Sequence, residues 1–261
     1  MTPRENYVID LFCGLGGWTA GFLAQGFDVI GFDIQRFPYP GQFVLQDVLT
    51  LDGARFKNAA MIVASPPCQN YSFMAMPFKR SKAMEARWKA EGADNRLFDA
   101  CFRIQREASE AAGHYIPMVV ENVRGAQKWV GRAKWHFGSF YLWGDIPALM
   151  PTVASGNRGE KAGDRNIGRK NGEHKWSVSF LDHLKLPVNN SPRRWQDRDV
   201  SRRGDEGIKQ GGDWFRGPNS LQRFGSKTSK RKLASAMLAK IPFRLAHHIA
   251  WVARNRIDNG L

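Results

Sequence analysis

Cysteine is scarce in this chain: Cys13, Cys68 and Cys101 are the three in 261 residues, and no two stand in CxxC spacing. That excludes a disulfide framework and gives no sign of a structural zinc site. No metal is expected. Long apolar runs are missing as well, since none approaches the roughly 20 residues that a membrane helix needs. The first residues, Met1 to Asn6, lead into a strand-like segment without an apolar signal region. There is no internal repeat. These absences predict a soluble, cytoplasmic protein with no membrane association, and a monomer is expected.

Acidic residues are the other deficit. Lys and Arg number 39 against 24 Asp and Glu, a net charge of +15, with hydrophobic residues at 43%. The excess is uneven: Pro151 to Lys232 holds 19 basic and 9 acidic residues, whereas the remaining 179 hold 20 and 15. A basic surface of this kind favours a polyanionic partner, and a phosphate backbone is the commonest one.

What is present reads first as alternating strands and helices. Tyr7–Phe12, Asp28–Phe32, Phe43–Val48, Ala59–Ala64, Pro117–Glu121 and Ser139–Trp143 read as strands. A helical stretch follows the first of them to about Gln25. Another runs from Met84 to Gly113, broken near Gly92, and an amphipathic helix closes the chain from Leu233 or Pro242 to Arg254. Strands alternating with helices predict an α/β fold with a mostly parallel sheet and helices on both faces. Three parts are expected: a catalytic and cofactor-binding domain over 1–151, a small basic loop-rich lobe over 152–232, and a returning C-terminal helix over 233–261. The middle part has 11 glycines and isolated aromatic residues such as Trp176, Trp195 and Trp214.

Asp10-Leu11-Phe12-Cys13-Gly14-Leu15-Gly16-Gly17-Trp18 follows a strand and opens a helix. Glycines there let the backbone turn sharply and approach a ligand. Asp33 ends the next strand, where an acid accepts hydrogen bonds from ribose hydroxyls. The pattern suits a dinucleotide, S-adenosylmethionine, or a tight packing turn, and does not choose among them.

Ser65-Pro66-Pro67-Cys68-Gln69-Asn70-Tyr71-Ser72 follows an apolar strand, and its prolines hold Cys68 on a rigid turn. Met118-Val119-Val120-Glu121-Asn122-Val123 ends another strand in a carboxylate. One reaction needs this pair. Carbon 5 of cytosine is a poor nucleophile until a thiolate adds at carbon 6, and a carboxyl group at ring nitrogen 3 stabilises the charge that builds there.

With those motifs in this order, the chain resembles the DNA (cytosine-5)-methyltransferase family. Asp10-Leu11-Phe12-Cys13-Gly14-Leu15-Gly16-Gly17 resembles its cofactor loop, Pro66-Pro67-Cys68-Gln69 with Ser72 its nucleophile loop, and Glu121-Asn122-Val123 its catalytic acid. Asn95-Arg96-Leu97-Phe98 and the Ala239 to Ala246 stretch are similar to further family segments. The resemblance implies a Rossmann-like methyltransferase fold and S-adenosylmethionine as cofactor. It implies Cys68 and Glu121 as catalytic residues. Phe12, Gly14, Gly16, Gly17, Trp18, Asp33, Ile34, Asp47, Val48 and Pro66 would bind the cofactor. It also implies double-stranded DNA as partner, a flipped-out target base, and a restriction-modification or phage setting.

The middle lobe stands where the family has its target-recognition region, with Arg193-Arg194 and Arg202-Arg203 expected on phosphates. Phe73 to Asn95, with Lys79, Arg80 and Lys82, would close over DNA. Two positions depart from the family pattern. Its Gln-x-Arg-x-Arg element is replaced by Arg132-Ala133-Lys134-Trp135-His136-Phe137-Gly138, leaving Arg132, Lys134 or Arg165 as candidate substitutes, and Ala239 stands where the family has Asn. Cys68, in place of an aromatic residue after Pro-Pro, argues against an amino-methyltransferase. A tRNA-directed relative or a catalytically weakened DNA-binding relative remains the alternative.

Overall fold

The computed structural model describes residues 6–69, 71, 78–151 and 228–260. In it, β1 (Tyr7–Leu11) leads through a tight turn into helix α1 (Gly17–Leu23), followed by β2 (Asp28–Asp33), β3 (Gln42–Leu45) and β4 (Met61–Ala64). Helices α2 (Phe78–Glu91) and α3 (Arg96–Ala112) precede β5 (Met118–Asn122) and a short α4 (Gln127–Val130). The hairpin β6 (Trp135–Phe137) and β7 (Phe140–Gly144) comes next, then α5 (Ser229–Ala239) and α6 (Phe243–Asp258). The basic lobe expected over 152–232 lies outside the described residues except for its last few positions.

The seven strands form one sheet in the order β3-β2-β1-β4-β5-β7-β6. β1 through β5 pair in parallel, while β7 runs antiparallel to β5 and β6 antiparallel to β7. Central strands explain their own composition: every residue of β4 and β5 is buried, as are four of the five in β1. A parallel strand covered on both faces must be apolar nearly throughout, so these read as continuous runs and not as alternations. The edge strand β3 is exposed at both ends.

Two apolar layers cover the sheet, as the sequence predicts. On one face Ile9, Leu11, Ile62 and Val120 pack with Phe98, Cys101, Ile104 and Ala108 of α3. The spacing of those α3 positions is that of one helical face. On the other face Val8, Val63 and Val119 pack with Trp18 and Phe22 of α1 and Leu245, Ala246 and Ile249 of α6. No helix among the described residues is long and apolar enough to cross a membrane.

Several boundaries differ from those read in the sequence. Val48 stands in a 3-10 turn (Val48–Thr50) and not in β3, because the Asp47 carboxylate accepts from Leu49 N at 2.9 Å and caps that turn. The C-terminal stretch is two helices. Pro242 at the N-terminal cap of α6 breaks the run after Ala239. The hairpin partner β6 is an additional strand, joined to β7 by a turn at Gly138, which has φ 58°.

Helix α1 lies against α6 at backbone distance. A Cβ on Gly21 would stand 2.4 Å from the Ala246 carbonyl carbon and the His247 nitrogen. Gly21→Ala therefore sets two effects against each other. Helix propensity favours Ala by about 1 kcal/mol, whereas overpacking against backbone costs about 1–3 kcal/mol. The clash is expected to prevail, and urea unfolding of the variant should show a net loss of stability. A more stable variant would mean that α1 and α6 do not approach this closely.

Candidate active site

The parallel strands bring their carboxyl ends to one edge, and the turns that leave it carry nearly all the residues singled out in the sequence. After β1 the chain alternates in hand: Phe12, Gly14 and Gly16 have φ of 59°, 49° and 68°. A positive φ in a bulky residue such as Phe12 is uncommon and costs of the order of 1–3 kcal/mol, so the surroundings must hold it. Cys13 N donates to Phe32 O at 3.1 Å, and Gly16 N to Cys13 O at 2.8 Å. Gly14 N donates to Asp33 Oδ2 at 3.0 Å.

The glycines of this turn serve different ends. A Cβ on Gly14 would meet nothing within 4 Å, so its side faces open space. On Gly16 it would stand 2.6 Å from Pro40 Cδ, and on Gly17 2.4 Å from Ile241 N, so packing requires both. Trp18 is buried, and its indole nitrogen donates to Ser65 Oγ at 3.0 Å, tying the turn to the exit of β4.

Asp33 ends β2 beside this turn, with Oδ1 accepting from Gln35 N at 2.8 Å. Ile34 follows it and is 66% exposed. Leu49, 41% exposed, stands two residues beyond Asp47. An apolar surface flanked by two carboxylates fits an adenosine group, with a carboxylate for the sugar hydroxyls and aliphatic contact for the base. Gly14, Asp33, Ile34 and Asp47 thus suit the nucleoside part of S-adenosylmethionine. Val48 is buried and belongs to the core beneath them.

The three cysteines separate by burial. Cys13 and Cys101 are buried, and burial pushes both thiols well above the ordinary range, which keeps them protonated. Cys101 also donates to Leu97 O at 3.4 Å within α3. Both behave as small core residues. Cys68 is half-buried, on the turn after β4, with its carbonyl accepting from Tyr71 N at 2.9 Å.

That turn is fastened to the end of β5. Asn122, fully buried, donates from Nδ2 to Pro66 O at 2.9 Å and accepts from Val123 N at 2.8 Å. Glu121 precedes it and is only 2% exposed. From the other side, Tyr71 donates to Asn95 Oδ1 at 2.9 Å, and Asn95 in turn donates to Trp129 O at 3.1 Å. Tyr71 and Trp129 both pack edge-on against Trp88 of α2. Asn122, Tyr71 and Asn95 lie within the motifs quoted from the sequence, but their part as positioning contacts was not read there, because it depends on partners distant along the chain.

The replaced arginine element falls on β6. Arg132 and Lys134 are exposed where the chain enters that strand, and Arg165 lies outside the described residues. Register pairs Trp135 with Leu142 of β7, and Leu142 with Glu121 of β5, so the three form one row on one face of the sheet. His136 stacks on Tyr141 with ring centroids 5.0 Å apart. Among the described residues no group of three His, Cys, Asp or Glu could hold a metal.

Residues 7–129 match the family described as C-5 cytosine-specific DNA methylase. No curated protein matches the chain. Among solved structures, the chain is similar to a DNA modification methyltransferase encoded within an E. coli prophage, at 26% identity and TM-score 0.32. That alignment covers 47% of this chain and 33% of the other, so this chain spans about a third of that protein. It is also similar to the Dnmt2 methyltransferase of S. pombe, at 12% identity and TM-score 0.44 over 95% of this chain and 98% of that one. The Entamoeba histolytica methyltransferase EhMeth aligns at 12% identity and TM-score 0.43 over 98% and 99%.

Beneath the glycine turn, Asp10 is buried at the end of β1. Burial is the main reason its pKa rises from 3.8 to about 7, with the Thr19 hydrogen bonds opposing the rise and the nearby Asp33 charge adding to it. Between those two values the folded state holds a proton that the unfolded chain has released. Stability contributed by this group is therefore complete below pH 3.8 and declines as pH rises to about 7. Asp10→Asn, which stays neutral, should flatten the fall in melting temperature over that interval relative to the native chain. Parallel pH profiles of the two proteins would show that Asp10 does not titrate there.

Proposed function

We propose that the chain, whose residues 7–129 match the C-5 cytosine-specific DNA methylase family, is a member of that family and methylates carbon 5 of cytosine in duplex DNA with S-adenosylmethionine as donor. One observation carries the reading. The half-buried Cys68 stands on a turn that the Asn122 side chain fastens, through Pro66 O, to the strand holding Glu121. A thiol and a buried carboxyl group are thereby held at neighbouring strand ends, beside a turn suited to a nucleoside.

In this reading the Cys68 thiolate adds to carbon 6 of the target base, forming a carbon–sulfur bond and making carbon 5 nucleophilic. Glu121 hydrogen-bonds ring nitrogen 3, where charge develops. Its burial strengthens that interaction, because no water competes for the same atom. The cofactor, when bound, would supply the methyl group for carbon 5 from its sulfonium and would depart as the neutral thioether S-adenosylhomocysteine. Loss of the carbon 5 proton then expels the Cys68 sulfur and restores the ring. Gly14, Asp33, Ile34 and Asp47 hold the cofactor's nucleoside. Phe12, Gly16, Gly17, Trp18, Val48 and Pro66 shape the wall around it.

A base inside a duplex must leave the stack to reach this edge, at a cost of a few kcal/mol, roughly, that phosphate contacts offset. The charge excess of 152–232 supports that segment as the source of those contacts, with Arg193-Arg194 and Arg202-Arg203 as its densest basic pairs. Arg132 and Lys134, exposed where the chain enters β6, add cations to that end of the sheet. Trp135, in the register row with Leu142 and Glu121, adds an aromatic ring within the stretch that replaces the family's arginine element.

Two measurements test the assignment. Incubation with S-adenosylmethionine and duplex DNA containing 5-fluorocytosine should yield a denaturation-resistant adduct, since fluorine cannot leave carbon 5 as a proton does. Cys68→Ser should form none while still binding cofactor; an adduct in that variant would remove Cys68 from the role of nucleophile, and an adduct only with RNA would change the substrate. Glu121→Gln should lower turnover by about 10²-fold or more, the scale on which a transition-state hydrogen bond acts. An unchanged rate would transfer that role to another acid.

A further inference from the structure

The segment between β2 and β3 reaches back beneath the glycine turn, and its Tyr39 ring occupies space that three glycines leave free. A Cβ on Gly31 would stand 2.3 Å from both Cζ and the hydroxyl of Tyr39. One on Gly16 would stand 3.1 Å from Tyr39 Cδ2, and one on Gly41 3.2 Å from its Cε1. The first distance is one that no side chain tolerates, and the other two are tighter than ordinary contact. These glycines admit a ring, and the ring is a tyrosine.

Its hydroxyl forms a short hydrogen bond with Thr19 Oγ1, and Thr19 Oγ1 donates to Asp10 Oδ2 at 2.6 Å. A threonine hydroxyl has one proton. Given to Asp10, it leaves Tyr39 as the donor to Thr19. The chain Tyr39 to Thr19 to Asp10 thus joins the segment after β2, helix α1 and the end of β1. Thr19 and Asp10 are both buried, and Asp10 Oδ1 has no partner. A phenyl ring would fill the same space without a polar group to desolvate, so the polar chain is retained against its own cost.

The glycine turn needs support from this side. Among the described residues nothing within 4 Å would meet a Cβ on Gly14, so that face of the turn is open. Its Gly14 N–H is aimed at Asp33, on the same strand end from which the Tyr39 segment departs. We propose that Tyr39 is a positioning residue for the cofactor. Through Thr19 and Asp10 it locks the glycine turn to the segment bearing Asp33 and Ile34, so that both are in place before the cofactor arrives.

The inference rests on the reading of this edge as an S-adenosylmethionine site, and the test separates the two. Binding of S-adenosylhomocysteine to the full chain is measured by calorimetry for the native protein, Tyr39→Phe, Thr19→Val and Thr19→Ser, with thermal unfolding as a check on folding. Tyr39→Phe should weaken binding about tenfold, the scale of one buried hydrogen bond. Thr19→Val should weaken it at least as much, and Thr19→Ser, which keeps the hydroxyl, should restore it. The KM for S-adenosylmethionine should rise in Tyr39→Phe while turnover at saturating cofactor stays near native. Native affinity in Tyr39→Phe overturns the inference, as does a Thr19→Ser variant as weak as Thr19→Val. A loss of turnover at saturating cofactor without a change in KM also overturns it. Should Tyr39→Phe fail to fold, the two Thr19 variants decide alone. A native chain that binds no S-adenosylhomocysteine would instead refute the cofactor site itself.

Discussion

A strand covered on both faces can carry no unpaired polar group along its length, and this constraint organises the molecule. β1, β4 and β5 lie side by side in the centre of the sheet, apolar until they reach the carboxyl edge. Asp10 near the end of β1, and Glu121 and Asn122 at the end of β5, are buried polar residues at that boundary. Because the three strands are parallel, their polar ends coincide. The chemistry is gathered at one edge by the same rule that empties the strand interiors of charge.

Each polar group admitted there then has to be held. Asn122 finds the Pro66 carbonyl and so couples β5 to the turn after β4. Asp10 finds Thr19, yet keeps one oxygen without a partner, and its raised pKa reflects that incomplete compensation. Burial also distinguishes the cysteines. Enclosure keeps the Cys13 and Cys101 thiols protonated, and partial exposure sets Cys68 apart from them. In each case the same side-chain type acquires its character from how much water it retains.

Close backbone approach is the second requirement, and glycine meets it. α1 is pressed between the sheet and α6, with Gly17 against Ile241 and Gly21 against Ala246. The glycine turn after β1 is thereby supported by a helix from the far end of the chain. That explains why the C-terminal segment, remote in sequence, belongs to the same architecture as the first strand.

Much of this was legible in the residues. The apolar runs of β1, β4 and β5, the Pro66-Pro67 stop before Cys68, and the acid after the strand ending at Val120 are local patterns. Steric and hydration rules convert them directly into strands, turns and strand-end polar groups. Their order predicted the α/β sheet. β6 was missed because three residues give too short an alternation to stand out, and Val48 was misplaced because Asp47 caps a turn that periodicity does not reveal. The sequence could state that Gly14, Gly16 and Gly17 make a turn, but not that Gly14 faces open space while its neighbours accommodate Pro40 and Ile241. Nor could it state that Tyr39 reaches Thr19. Those outcomes depend on contacts between segments distant along the chain, and such contacts exist only once the sheet has brought the segments together.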